Sequence, residues 1–122
     1  MFNLDLFRGE PTLTVHRGEV LIAEGERGDT MFVVIEGLLD IRIHGAPVEK
    51  VRPGGVVGEM SLIDHGVRSA SVVAVEESSV VAVDEKRFMY LVQNHPYFAI
   101  SMMQLVVDRL RHADKHIATA PA

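Results

Sequence analysis

The feature that most constrains this sequence is its rhythm between Thr12 and Asp84. Short runs rich in Val, Ile and Thr recur there, separated by Gly, Pro and Asp signals. Seven runs read as strands: Thr12–His16, Val20–Glu24, Met31–Glu36, Leu38–His44, Pro47–Arg52, Ser69–Val75 and Val80–Asp84. β-branched side chains favour a pleated, half-buried surface, and the intervening Gly- and Pro-containing segments supply turn conformations. Many short strands with close turns predict a sandwich or a closed barrel. Apolar and charged residues alternate in Leu39-Asp40-Ile41-Arg42-Ile43, the pattern of a strand with one wet face.

From Glu85 onward the period becomes helical. Asp84 reads as the N-cap of a helix from Glu85 to about Asn94. Pro96 stops that helix and can open the next, predicted over Tyr97–His116. The second helix carries two apolar stripes. One is Phe98, Met102 and Leu105; the other is Ala99, Met103, Val106, Leu110, Ala113 and Ile117. Two apolar faces need two partners. The roll takes one; for the other the alternatives are the roll again, a ligand beneath a lid, or a second subunit in a homodimer.

The length of 122 residues fits one domain, residues 1–122, with a roll over about 12–84 and helices over about 85–94 and 97–116. A formal net charge of -5 disfavours nucleic acid as a partner, since phosphates call for an excess of Lys and Arg. The absence of cysteine removes disulfides, thiolate metal sites and cysteine nucleophiles. The opening residues lack the basic start and apolar core of a secretory signal, and no apolar run approaches the roughly 20 residues of a membrane helix. The expectation is a cytoplasmic protein with no membrane contact.

The chemistry concentrates between Gly54 and Val72. Met60–Ile63 can form one helical turn, and the glycine before it lets backbone N–H groups approach an anion. Arg68 follows with a permanently charged fork suited to phosphate oxygens. Glu59 offers an acceptor pair suited to a ribose hydroxyl. The spacing alone equally allows a surface salt bridge between Glu59 and Arg68.

Gly58-Glu59-Met60-Ser61-Leu62 with Arg68-Ser69-Ala70-Ser71-Val72 resembles the phosphate-binding cassette of cyclic-nucleotide-binding domains. The segment from Gly18 to Gly37 resembles the first β-roll signature of that family, and Pro53-Gly54-Gly55 its turn into the cassette. The resemblance implies an eight-stranded antiparallel β-roll, or jelly roll, followed by two α-helices. It implies no enzymatic activity and no cofactor, the ligand being cAMP or cGMP, with cAMP ahead by family frequency. By position, Arg68 would clasp the cyclic phosphate and Glu59 the ribose 2′-hydroxyl. Gly58, Met60, Ser61, Ser69 and Ala70 would add contacts, and Val57, Leu62 and Val72 apolar walls. Gly28, Gly37 and Gly54 read as loop glycines.

Base and lid contacts would come from Leu110, Ala113 and Asp114, where the sequence departs from relatives that place a Thr-Ser pair after Arg-Leu. Ala113 cannot hydrogen-bond a base, whereas Asp114 could accept from guanine or simply cap the helix end. A second departure is Val67, where many relatives carry proline before the cassette arginine. His112 and His116 stand one helical turn apart, a spacing open to zinc, but the helix C-terminus alone explains them and no third ligand is evident. A cupin-type metalloenzyme would want His-X-His on barrel strands, and none occurs. A roll that has lost its ligand and serves only as an interaction module would have no use for Glu59 and Arg68. The sequence names no effector protein for the response.

Overall fold

The computed structural model describes residues 2–119, with side chains described through residue 112. Its strands are β1 (Leu13–Val15), β2 (Val20–Ile22), β3 (Met31–Glu36), β4 (Leu39–Ile43), β5 (Ala46–Val51), β6 (Val56–Val57), β7 (Ser71–Ala74) and β8 (Ser78–Val83). A short helix, α1 (Glu59–Asp64), separates β6 from β7, and α2 (Glu85–Asn94) and α3 (Pro96–Thr119) follow β8. The strands form two four-stranded sheets, ordered β1-β8-β3-β6 and β2-β7-β4-β5, with every pairing antiparallel. This is the eight-stranded roll with C-terminal helices that the resemblance implied.

The differences from the sequence reading have local causes. Strand β6 is absent from the seven predicted runs, since two residues show no period; β3 recruits it by pairing Phe32 with Val57 and Val33 with Val56. The Ser69–Val75 run begins only at Ser71, because Arg68 to Ala70 serve the cavity described below. The last strand starts earlier than Val80, at Ser78, whose hydroxyl donates to Glu76 O at 2.9 Å. Helix α3 includes Pro96 and extends beyond His116. A 3-10 turn, Leu4–Phe7, was not anticipated; the Asn3 side chain accepts from Asp5 N at 3.0 Å, and Phe2 and Phe7 are buried beneath it.

Two apolar layers divide the work. Val15, Ile22, Val34, Leu39, Val57, Val72 and Val80 pack between the sheets. Met31, Val33, Val56, Val81 and Val83, from the outer face of the first sheet, pack with Leu91, Phe98 and Met102 of the helices. Successive strand residues point to opposite faces, so β3 and β6 send neighbouring side chains into different layers. Strand β3 is therefore covered on both faces, which explains why Met31-Phe32-Val33-Val34-Ile35 lacks polar alternation.

Helix α3 joins the second layer through its first stripe: Phe98 and Met102 are buried and Leu105 packs beside them. Phe98 lies 5.0 Å from Phe2 and meets Phe88 edge-on at 5.6 Å between centroids. Replacing Phe98 with alanine is expected to cost about 3–5 kcal/mol of stability. Urea denaturation checks this; a loss below about 1 kcal/mol would mean that the helices contribute little to the core.

Candidate functional site

Strand β6 ends at Val57, and the chain turns through Gly58 into α1. Gly58 has φ 80°, in the left-handed region where a side chain is strained. A Cβ there would stand 2.7 Å from Arg68 Nη1 and 3.0 Å from Thr30 O. Glycine thus provides both the turn and the room for the guanidinium. Gly28 does the same from the other side, since a Cβ on it would overlap the Arg68 guanidinium. Gly28 does not line the cavity itself; it leaves room for the side chain of Arg68.

Arg68 is 9% exposed. Its Nη1 donates to Gly58 O at 3.0 Å and its Nη2 to Thr30 O at 2.7 Å. Its backbone is held too, with Arg68 N donating to Glu26 O at 2.7 Å and Gly25 N donating to Arg68 O at 2.9 Å. Both side-chain partners are neutral carbonyls. Among the described residues no carboxylate forms an ion pair with Arg68. Burial lowers its pKa, while Asp29 and Glu59 at longer range act in the opposite direction. A guanidinium remains charged at neutral pH regardless, so a scarcely hydrated cation stands in this wall.

Glu59, at the start of α1, is 4% exposed and pairs not with Arg68 but with Arg109 of α3. Arg109 Nη1 donates to Glu59 Oε1, while Nη2 donates to Val56 O at 2.6 Å and to Glu49 Oε2 at 3.2 Å. One side chain from α3 therefore binds β5, β6 and α1 together. Burial works against the Arg109 charge, but Glu59 and then Glu49 outweigh it, and the pKa is raised. No sign of this clasp is legible in the sequence. Its partners lie 50 and 60 residues away, and no local pattern links them.

Arg68, Glu59 and Arg109 meet in one cavity of about 470 Å³, within the usual range of small-molecule sites at roughly 300–1,000 Å³. Gly58, Met60, Ser61, Ser69 and Ala70 line it, as do Val57 and Val72. Ile22, Ile41, Ile43, Pro47 and Val48 complete an apolar surface, and Glu49 and His112 add polar groups. The first six of these come from strands that sequence reading treated as scaffold, and His112 from the last helix, where it was weighed only as half of a zinc-spaced pair. Leu62 does not line the cavity; it packs with the helices in the outer layer, because its side of α1 faces the core. Leu110 is 61% exposed and likewise does not line it. The side chains of Ala113, Asp114 and His116 lie outside the described residues. Among the described residues no helix is long and apolar enough to cross a membrane, and no group of three potential ligands could hold a metal ion.

The fold recurs in solved structures. The Thermus thermophilus catabolite activator protein superposes with a TM-score of 0.79 at 29% identity, covering 93% of this chain and 61% of that one. Residues 12–95 match the family described as the cyclic nucleotide-binding domain. The chain belongs to that family, a regulatory ligand-binding domain. It is 34% identical over 103 residues to the cyclic AMP receptor protein of Thermus thermophilus, covering 80% of this chain and 48% of the relative. It is 38% identical over 76 residues to a cGMP-dependent protein kinase of Caenorhabditis elegans, covering 62% of this chain and 10% of the kinase. The chain thus spans about half of the first relative and a small part of the second.

The Arg109 clasp makes a prediction independent of ligand. Arg109→Leu leaves the Glu59 carboxylate buried without its cation and is expected to cost about 3 kcal/mol. Adding Glu59→Gln should recover part of that loss, because the stranded charge is removed. Urea denaturation of the two single variants and the double variant reads the difference, and additive losses would mean that the two side chains are not coupled.

Proposed function

We propose that this chain binds a cyclic purine mononucleotide, cAMP ahead of cGMP, as a non-catalytic regulatory module in the cytoplasm. The observation that carries this reading is Arg68, a buried cation with only carbonyl partners in the wall of a mostly apolar cavity. Two of its five N–H donors are used by Gly58 O and Thr30 O, which hold the fork in place and leave donors for an anion. A cyclic phosphate is such an anion, and it replaces lost hydration with charge-assisted hydrogen bonds. Glu59, oriented by Arg109 through one oxygen, offers its other oxygen to a ribose hydroxyl. Ser61, Ser69 and the backbone at Gly58, Met60 and Ala70 supply further polar contacts, with Val57 and Val72 against the apolar parts of the ligand.

The preference for cAMP rests on relatives, including the cAMP-bound form of the regulatory protein PfPKA-R, with a TM-score of 0.74 at 27% identity. A ligand that binds only the native state raises its stability, by about 2.7 kcal/mol at a hundred times its Kd. Thermal unfolding with cAMP and with cGMP should show this shift in the wild type and lose most of it in Arg68→Ala. An undiminished shift in that variant would remove Arg68 from the phosphate site; no shift in the wild type would favour a roll that acts without ligand.

Helix α3 reaches the cavity through Arg109 and His112 while leaving Met103, Val106 and Leu110 exposed. We propose that ligand adjusts this helix and that its exposed stripe meets a second copy of the chain or an effector protein. Val106→Glu places a charge in the stripe, away from the cavity. Light scattering should report a smaller species than the wild type, with cyclic-nucleotide affinity retained; an unchanged mass would reject self-association through this face.

A further inference from the structure

One lateral row across the second sheet runs along the floor of the cavity. Ile22 of β2 pairs with Val72 of β7, Val72 with Ile41 of β4, and Ile41 with Glu49 of β5. All four line the cavity. Paired positions on antiparallel strands present their side chains to the same face, so the row consists of three apolar residues ending in a carboxylate. The Ile22 end is the phosphate end, since the Ile22 side chain would stand 3.0 Å from a Cβ on Gly58, which itself accepts from Arg68. Strands in a sheet are about 4.8 Å apart, which puts β5 roughly 10 Å across the floor from β7 and farther from β2. A nucleotide whose phosphate meets Arg68 and whose base lies over Val72 and Ile41 extends its outer edge toward Glu49.

Glu49 is itself held for this use. Arg109 donates to its Oε2 at 3.2 Å, which holds the carboxylate at the cavity, while the hydrogen bond leaves Oε1 available. The side chain is 38% exposed, so it is neither free surface nor core. An ionised carboxylate only accepts hydrogen bonds and therefore selects a donor. His112 reaches the same cavity, but an imidazole nitrogen can donate or accept and selects less.

We propose that Glu49 is a specificity-determining residue, accepting a hydrogen bond from the exocyclic amino group of the bound purine. The proposal rests on the cyclic-nucleotide reading above and adds the feature of the base that the protein recognises. Both candidate bases carry such a group, at different ring positions, so two pairs of ligands identify which is read.

Calorimetry would compare cAMP with its 6-deamino analogue, and cGMP with its 2-deamino analogue, on wild type and on Glu49→Leu. One deamino analogue should bind the wild type about tenfold or more weakly, the effect of losing a hydrogen bond to a charged group. In Glu49→Leu the same deletion should cost less than about twofold, because the carboxylate that received the amino group is gone. Any general effect of removing a negative charge near a phosphate cancels in this comparison. Glu49→Gln, which keeps an acceptor oxygen of the same reach without its charge, should show an intermediate penalty. Equal penalties in wild type and Glu49→Leu, or none in the wild type, would overturn the assignment and leave Glu49 as an anchor for Arg109 alone. Failure of the wild type to bind either parent nucleotide would instead overturn the ligand reading, and this proposal with it.

Discussion

The central strand β3 of the β1-β8-β3-β6 sheet carries an apolar layer on each face, and the rest of the molecule is arranged around that fact. One face closes against the second sheet and the other against α2 and α3, so the central strand β3 cannot slip by one residue without exchanging the side chains of both layers. That register reaches directly into the site. Thr30, the residue before β3, presents the carbonyl that holds Arg68, and β3 pairs with the two residues of β6 that deliver Gly58 and Glu59. The apolar core and the polar cavity are thus set by one pairing.

Within that frame the two arginines have opposite characters. Arg109 is an internal clasp, its charge met by Glu59 and Glu49 and its position fixed by three elements of the fold. Arg68 is held as firmly, yet only by carbonyls, which orient a guanidinium without neutralising it. Burying a charge in this way is unfavourable unless an anion compensates it, and that imbalance is what supports the phosphate-binding role proposed for Arg68. Because Arg109 also holds Glu59, the carboxylate assigned to the sugar and the helix over the cavity share one hydrogen-bonded group. Movement of α3 and the orientation of Glu59 are therefore mechanically linked.

Much of this was legible without coordinates. The β-branched runs and their Gly-containing turns marked the roll, and the cassette residues from Gly58 to Ala70 marked the cavity wall that they line. Harder to read were features whose cause lies elsewhere in the chain. Strand β6 exists because β3 recruits it. Leu62 fell among the expected cavity walls because a six-residue helix does not reveal which side faces ligand and which faces core. Gly28 looked like any turn glycine until the Arg68 guanidinium was seen stacked against it.

By itself, the sequence determined the class of fold, the family and the placement of Glu59 and Arg68 in one cassette, because strand period, turn chemistry and motif spacing are local properties. Only the tertiary structure decided that Glu59 answers to Arg109 rather than to Arg68, and that Glu49 stands at the far end of the row begun by Ile22. Those relations depend on strand register and on where α3 crosses the roll. Both are set by the packing of residues far apart in the chain, and no local pattern records them.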